Sequence, residues 1–510
     1  MTESGSGSCA APDRCRAPVL PAVAGRRGGN RGRIAAQVAA LGLTLVGCSV
    51  GPDYARPRTE APAAWLTAAQ GPAVWPSVEW WRGFGSTQLD EFIAEAERAN
   101  YDLAAAVERV RQADAQVRIA GAALLPTIGA TGGAERIHAP GLFGTSLGGG
   151  QSGTPLSSVS RSSGPTMFNV LSAGVTASYE IDFWGKNRDA LVAAKATALA
   201  SRFDAEVVYL SVVSNTAITY FQAVGLQDQL AVARDNLKTG EDLLKILRAQ
   251  LARGITSALN LSQQQTVVAG LRAAIPPLEQ QLRQYVNALA ILIGNLPEQV
   301  EVAQSTLRAL TIPAVAPGLP SELLIRRPDV REAEAQLIAA NANVKAARAA
   351  FFPSIVLTAE GGFESTMLHS LFNPASALYS VAAGVTQPIF EGGRLEGTLE
   401  QQKARYDELV QDYRKAVISA FSDVENALVA MRKTEEQLRL EEEAVATAQR
   451  SYDISLAQLR AGVIDLLTVL NTQNALFQAE TTLAQVRLAR TQAIVQLFQA
   501  LGGGWRAATS

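Results

Sequence analysis

The stretch Ala123-Leu124-Leu125-Pro126-Thr127-Ile128 returns as Ala350-Phe351-Phe352-Pro353-Ser354-Ile355, and this recurrence decides the fold. Working outward, the same order of segments appears twice. Ala173-Gly174-Val175-Thr176 is matched by Ala383-Gly384-Val385-Thr386. Arg253-Gly254-Ile255 through Leu259 and Gln265 is matched by Ala461-Gly462-Val463 through Leu467 and Gln473, and Gly294 by Gly502. These later matches keep a constant spacing of 208 residues (254 to 462, 294 to 502). The earlier ones drift only through loops of unequal length. The chain is therefore two copies of one unit.

Each unit opens with a helical stretch, 87–122 and 328–349. In the first, Leu89, Ile93 and Ala96, then Leu103, Val107 and Val110, recur at helical spacing. Pro126 and Pro353 end these helices. Strand pairs follow. Val175, Ala177, Tyr179, Ile181 and Phe183 alternate with Thr176, Ser178, Glu180 and Asp182. Ile355, Leu357 and Ala359 alternate with Val356, Thr358 and Glu360, and Tyr379, Val381, Ala383 and Val385 show the same period of two. After each second strand comes a very long helix, about 187–252 and 394–460. The latter carries Val410, Val417, Val424, Met431, Leu438, Val445, Tyr452 and Leu459 at every seventh residue. Tyr413, Ala420, Ala427, Thr434, Glu441, Ala448 and Ser455 are their partners, and so strict a heptad predicts coiled-coil packing. At 1.5 Å per residue each rod is about 100 Å long. Both rods end in a glycine turn, and a second helix runs back. Pro276-Pro277 should kink or break the first return helix. Residues 134–168, rich in Gly and Ser, read as a long loop between strands. The proline-rich residues 295–320 link the two units.

The composition excludes most chemistry. Cys9, Cys15 and Cys48 all precede residue 50, so the rest of the chain has no thiol for a disulfide or a Cys-type metal site. His138 and His369 stand alone in Gly/Ser-flanked stretches and read as solvated loop residues. No Gly-rich phosphate loop is present. The reading is of a protein that is not an enzyme and needs no cofactor. A net charge of −2 with no basic domain argues against a nucleic-acid partner. Aromatics are only 6 %, which suits long helices packed through small side chains.

At the N-terminus, Arg26, Arg27, Arg31 and Arg33 precede an apolar run from Ile34 to Gly47, too short for a spanning helix but suited to a secretory signal. The run ends Leu45-Val46-Gly47-Cys48, which resembles the lipobox of bacterial lipoproteins. That resemblance implies cleavage before Cys48 and acylation of its thiol, and Ser49 after it implies delivery to the outer membrane. Residues 1–47 form the signal, with 1–25 longer than such a signal needs and a later start expected. In a protein so anchored, strands with one apolar and one polar face read as barrel wall. Four strands cannot close a barrel, so several chains must share one.

Further stretches carry a family resemblance: Val50-Gly51-Pro52-Asp53-Tyr54, Trp80-Trp81 ahead of Phe84, Asp182-Phe183-Trp184-Gly185-Lys186, Arg326-Arg327-Pro328-Asp329-Val330-Arg331 and Ala500-Leu501-Gly502-Gly503-Gly504-Trp505. In this order around a duplicated unit, the chain resembles the outer membrane factor family, the TolC-like channels, and within it the lipoproteins of nodulation-protein (NodT) type. The resemblance spans essentially the whole mature chain. It implies a mainly α fold with a membrane β-barrel: a trimer whose twelve-strand barrel continues into a twelve-helix coiled-coil α-barrel, with two structural repeats per chain. The expected layout is a lipidated extended segment (48–86), a first repeat (87–294), an equatorial linker (295–320), a second repeat (321–504) and a tail (505–510).

The resemblance further implies a passive exit duct, lipid-anchored in the outer membrane and extending into the periplasm. Its partners would be a periplasmic adaptor and an inner-membrane resistance-nodulation-division pump, with protein secretion beside an ABC transporter as the alternative. The turns Arg253-Gly254-Ile255-Thr256 and Arg460-Ala461-Gly462-Val463 match the family's adaptor-docking tips, and a plain glycine helix stop explains them equally. The gate, acidic in relatives, falls at Ile464 to Asn471. Here only Asp465 is acidic, with Thr468 and Asn471 as its companions, and Asn471 stands where some relatives carry aspartate. Asp465 reads equally as a solvated tip residue.

Overall fold

A computed structural model describes residues 50–66, 75–139, 166–315, 318 and 320–503. The expected signal, Cys48, the tail and residues 140–165 lie outside the described residues. In chain order the elements are α1 (Thr87–Ala99), α2 (Tyr101–Ala122), β1 (Thr127–Ala139), β2 (Thr166–Ile181), α3 (Lys186–Ala252), α4 (Ala258–Leu292), α5 (Pro320–Arg326), α6 (Pro328–Ala349), β3 (Ser354–Ser365), β4 (Ala377–Thr386), α7 (Arg394–Arg460) and α8 (Leu466–Ala500). The duplication is metric. α2 and α6 each have 22 residues, α3 and α7 each 67, and α4 and α8 each 35. Length differences between the units fall in the leading helices, 13 residues in α1 and 7 in α5, and in the strands and connections.

The strands form one antiparallel sheet in the order β1-β2-β3-β4. Its register puts like with like. Ile128 pairs with Ala177, Val175 with Gly361, Tyr179 with Leu357, and Ile355 with Val385, so the apolar rows coincide. On the other face Thr127 pairs with Ser178, Glu135 with Val170, Thr176 with Glu360, and Thr358 with Ala382. A slip of one residue would invert both faces. The apolar face is bare in the single chain: Ile128, Tyr379, Val381 and Val385 are 68–86 % exposed. β1 and β2 run further into the Gly/Ser-rich region than expected, and His138 is an exposed strand residue rather than a loop one.

Two strand-to-helix junctions turn the chain from sheet to rod. Gly185 and Gly393 both hold φ of 84°, left-handed N-caps to α3 and α7. In the first, the Asp182 carboxylate accepts the N–H groups of Asn187 (3.1 Å) and Arg188 (2.8 Å), meeting donors that a helix start leaves unpaired. The Trp184 indole donates to the Pro353 carbonyl at 2.8 Å and stacks on Phe352 at 4.7 Å, which locks the two halves of the sheet together.

The heptad seam is as expected at both ends of α7. Val417, Ala420, Val424 and Ala427 are buried near its start, and Tyr452 and Ser455 near its end. Between Leu428 and Tyr452 no α7 residue is buried, and Met431, Leu438 and Val445 are half-covered. α3 is apolar enough over 18 residues to cross a membrane by length and composition. Half of that window is buried inside the chain, and α3 packs on α2, α4, α6 and α8.

Two helix expectations need correction. The helix expected at 87–122 breaks at Asn100, with no proline there. The Asn100 side chain accepts the N–H groups of Asp102 (2.8 Å) and Leu103 (3.0 Å), and donates to the Leu292 carbonyl at 2.8 Å. An asparagine that caps the next helix competes with helix continuation. α4 is not broken by Pro276-Pro277 but runs through them. Around the pair Arg272, Ala273, Pro276 and Pro277 are exposed, so water can meet the carbonyls that lose their donors. The linker 295–320 also packs, with Val300, Val302 and Leu307 buried in the core beside Trp80, Trp81 and Phe84. Trp80 stacks on Phe498 of α8 at 4.9 Å, and Phe84 meets Phe221 of α3 at the same distance. Each such ring contributes roughly 1.5–3 kcal/mol by burial, and together they bind the N-terminal segment to helices of both units.

Asn100 has a counterpart. Arg327 stands at the break between α5 and α6, its guanidinium paired with Asp329 (2.6 Å) and Asp423 (2.9 Å) and pointing a weaker bond at the Ala500 carbonyl (3.4 Å). Leu292 and Ala500 are themselves one repeat apart. Beside each joint lies a left-handed glycine. A Cβ on Gly294 (φ +71°) would lie 2.3 Å from the Ala99 carbonyl oxygen, and one on Gly502 (φ +88°) 2.8 Å from that of Arg326. Gly254 has the same φ (+72°) but open space around it. Gly294→Ala should therefore lower stability by more than about 2 kcal/mol, and Gly254→Ala by only about 1 kcal/mol. Thermal unfolding in detergent followed by circular dichroism checks this; equal losses would contradict the packing constraint at Gly294.

Candidate functional site at the helical tips

The two rods end alike because the same local sequence ends them. At the first tip, Gly254 N–H donates to Leu251 O (2.9 Å) and Ile255 N–H reaches back to Gln250 O (2.9 Å). At the second, Gly462 donates to Leu459 O (3.0 Å) and Val463 to Gln458 O (2.9 Å), with Gly462 at φ +73°. This is the glycine-terminated helix stop, with its paired back-bonds satisfying the last carbonyls. Each return helix then starts on a side-chain cap. Ser257 Oγ accepts Asn260 N–H at 3.2 Å, and Asp465 Oδ1 accepts Thr468 N–H at 3.0 Å.

The structure brings Arg253, Gly254, Ile255 and Thr256 together in one turn and Arg460, Ala461, Gly462 and Val463 in the other. Thr256 is half-buried and the remaining seven are exposed. Beside the exposed Arg253 and Arg460, the turns present apolar side chains outward. Ile255 and Leu259 at one tip, and Val463 and Leu467 at the other, are 55–71 % exposed, and they are repeat partners. Leu259 and Leu467 mark the repeat in the sequence; their exposure depends on which way the return helices turn, which residue spacing does not give.

Of the gate candidates, Asp465 and Thr468 form one unit. The Thr468 hydroxyl donates to Asp465 Oδ1 at 2.6 Å alongside the backbone bond. Those two donors, the hydroxyl first, hold the exposed Asp465 carboxyl below the usual carboxylate range. It therefore carries its charge at neutral pH, and it caps α8 where Ser257 caps α4. Asn471 is exposed on α8 and makes no hydrogen bond to this pair.

Polar ties between rod and return helix were missed by sequence reasoning. Gln264 of α4, fully buried, donates to the Gly240 carbonyl at 2.8 Å, and Thr472 of α8 shares a 2.7 Å hydroxyl bond with Ser455 of α7. Gln264 and Thr472 are repeat partners. Glycine at 240 leaves the room, since a Cβ there would lie 3.0 Å from Leu271 Cδ1. A polar residue inside an apolar stripe was the available signal. Below these ties Leu243, Leu247, Tyr452, Val469, Leu470 and Phe477 pack as a small core of the tips. Among the described residues no group of acidic or histidine side chains could hold a metal ion.

Comparison with known proteins follows this geometry. The model of the family described as outer membrane efflux protein matches residues 92–295 and 319–503. The chain is 40 % identical to the pyoverdine export outer membrane protein OpmQ of Pseudomonas aeruginosa, over 91 % of this chain and 95 % of that one. It is 31 % identical to the cation efflux system protein CusC of Escherichia coli, over 91 % of this chain and 98 % of that one. In three dimensions it superposes on the Campylobacter jejuni CmeC outer membrane channel with a TM-score of 0.82, at 26 % identity, covering 91 % of this chain and 96 % of that one. Two repeats, each giving two strands to a barrel wall and a rod with its return helix to a coiled coil, are the architecture of the trimeric outer-membrane efflux channels. The chain belongs to the outer membrane efflux protein family.

Proposed function

We propose that three copies of this chain form a passive exit duct, carrying small solutes from the periplasm through the outer membrane. The observation that supports this most is the sheet: four registered strands with Ile128, Tyr179, Leu357 and Val385 on one face and Thr176, Thr358 and Glu360 on the other, and with β1 and β4 unpaired at its edges among the described residues. In lipid an open edge is excluded, because each unpaired backbone group there costs several kcal/mol. Pairing β4 of one copy with β1 of the next removes every edge. Two copies would give eight strands, a barrel filled by its own side chains. Three give twelve and leave a lumen. The polar face, with Thr127, Thr131, Thr176, Ser178, Thr358 and Glu360, would line that lumen.

The half-covered seam of α7 supports sharing along the rods as well. A groove of about 660 Å³ there is lined by Leu438, Val445, Leu483, Leu310 and Ile312, with Arg487 and Arg490 paired to Glu442 and Glu435 on its side. Helix seams of this kind are completed by a partner helix. No energy source is assigned to this chain. A periplasmic adaptor docks on the tips, where Ile255, Leu259, Val463 and Leu467 offer apolar knobs, and an inner-membrane resistance-nodulation-division pump drives transport. Acylated Cys48 anchors the N-terminal segment at the membrane. The relatives' names give different cargoes, pyoverdine in one and cations in another, so the shared element is the duct.

At the tip, Asp465 serves as a charged ring of the gate. Because its repeat partner is Ser257, three copies bring three carboxylates and not six. Such a ring repels itself and attracts cations. Capping and charge are separable. Asp465→Asn keeps the cap and removes the charge, so stability should hold while cation preference in planar bilayers falls. Asp465→Ala should lose both, and the first turn of α8 should fray. Unchanged ion preference in Asp465→Asn would leave Asp465 a cap alone.

Deleting the gene and complementing it tests the duct itself. Loss of resistance to several antibiotics, dyes or detergents, with secreted proteins unchanged, is the expected outcome. The wild-type chain should restore resistance and Val463→Asp should not, though it still reaches the membrane. A lost secreted protein with unchanged resistance would instead support the protein-secretion reading.

A further inference from the structure

The connection between β3 and β4 differs from an ordinary surface loop. Met367, Leu368 and Phe372 project from it at 58–72 % exposure. Part of its backbone is tied internally, while the side chains of Thr366, His369 and Asn373 are exposed beside these apolar ones. Backbone N–H groups of Ser370, Leu371, Asn373 and Ser376 donate to the carbonyls of Met367, Leu368, Ser370 and Asn373. Ser365 and Ser370 share a 2.7 Å hydroxyl bond, and the Ser376 hydroxyl donates to Ser370 O at 2.8 Å. From Ser365 to Phe390 there is no Asp, Glu, Lys or Arg.

The loop also has a direction. The Phe372 ring meets Phe363 edge-on at 5.6 Å. Phe363 pairs with Ala173 and Ala377, in the apolar rows that carry Tyr379 and Val381, so the loop bends to the apolar side of the sheet. Irregular backbone that is not fully met internally is excluded from the hydrocarbon, so the loop fits the headgroup level, where Thr366, His369 and Asn373 find polar partners. Aromatic side chains favour the depth where such a wall leaves the hydrocarbon.

We infer that the loop Thr366–Ser376 is a lipid-seated collar, resting in the outer leaflet against the barrel's exterior rather than covering its mouth. This rests on the reading of the sheet as membrane barrel wall. The collar widens the apolar belt at β4, whose strand of ten residues is the shortest of the four and would otherwise bury the least.

The test uses the full chain in liposomes, with a nitroxide on Leu368→Cys or, separately, Phe372→Cys. Val381→Cys marks the lipid face, Thr358→Cys marks the polar face, and the unsubstituted protein reports background labelling. Collisions with oxygen, which partitions into lipid, are compared with those of a water-soluble nickel chelate. Labels at 368 and 372 should behave like the one at 381, with nickel collisions lost relative to 358. Nickel access at 368 and 372, with 381 still in lipid, would overturn the collar and leave the barrel standing. Protection from both agents there would overturn it too, placing protein over the loop. Nickel access at 381 would instead overturn the barrel reading beneath it.

Discussion

The rest of the structure depends on the unpaired backbone at the two ends of its sheet. β1 and β4 each present a row of N–H and C=O groups with no strand partner among the described residues, beneath a face of Ile, Leu, Val and Tyr that water rejects. In water such an edge invites aggregation; in lipid it is forbidden. Both problems have one solution, closure with further copies. A closed barrel fixes the spacing of the strand ends, and so the places where the rods begin. The junction glycines 185 and 393 then turn each strand into its rod.

Duplication supplies the regularity that closure needs. Two units whose rods and return helices are of equal length meet at two equivalent joints, Asn100 with Leu292 and Arg327 with Ala500. The joints are chemically unequal. Asn100 is a neutral cap, while Arg327 is a charge held by Asp329 and Asp423 and largely buried. A buried pair of this kind contributes little net stability when intact but is costly to break, which makes the second joint a point of specificity. The aromatic set Trp80, Phe84, Phe221 and Phe498 then unites the units, drawing on the N-terminal segment, one rod and one return helix. The tips lack any such anchor. A small apolar core and two polar ties hold them, so they are the part of the molecule best suited to rearrange.

Much of this was readable in the residues. The repeat, the period-two strands and the seven-residue seam each express one dominant force, burial of an apolar stripe at a fixed spacing. What escaped were features decided by contacts across long separations. Asn100 looks like an ordinary polar residue on a helix until its donation to Leu292 O is seen. Pro276-Pro277 look like a break, yet the helix continues because the bared carbonyls face solvent. The linker 295–320 gives no periodic signal, though three of its residues enter the core. Asp465 was singled out for its charge, and the structure adds a capping role equivalent to that of Ser257. A run without Asp, Glu, Lys or Arg from 365 to 390 stood in the sequence throughout, but only the contact of Phe372 with Phe363 on the apolar face gives that run a meaning.

Closure by copies is most directly tested by the native mass of the protein released from a membrane-mimicking micelle. Three chains per particle, each beginning at Cys48 and carrying acyl mass, is the predicted result. A particle of one chain would mean that the edges of β1 and β4 are met in some other way, and would contradict the shared barrel on which this account rests.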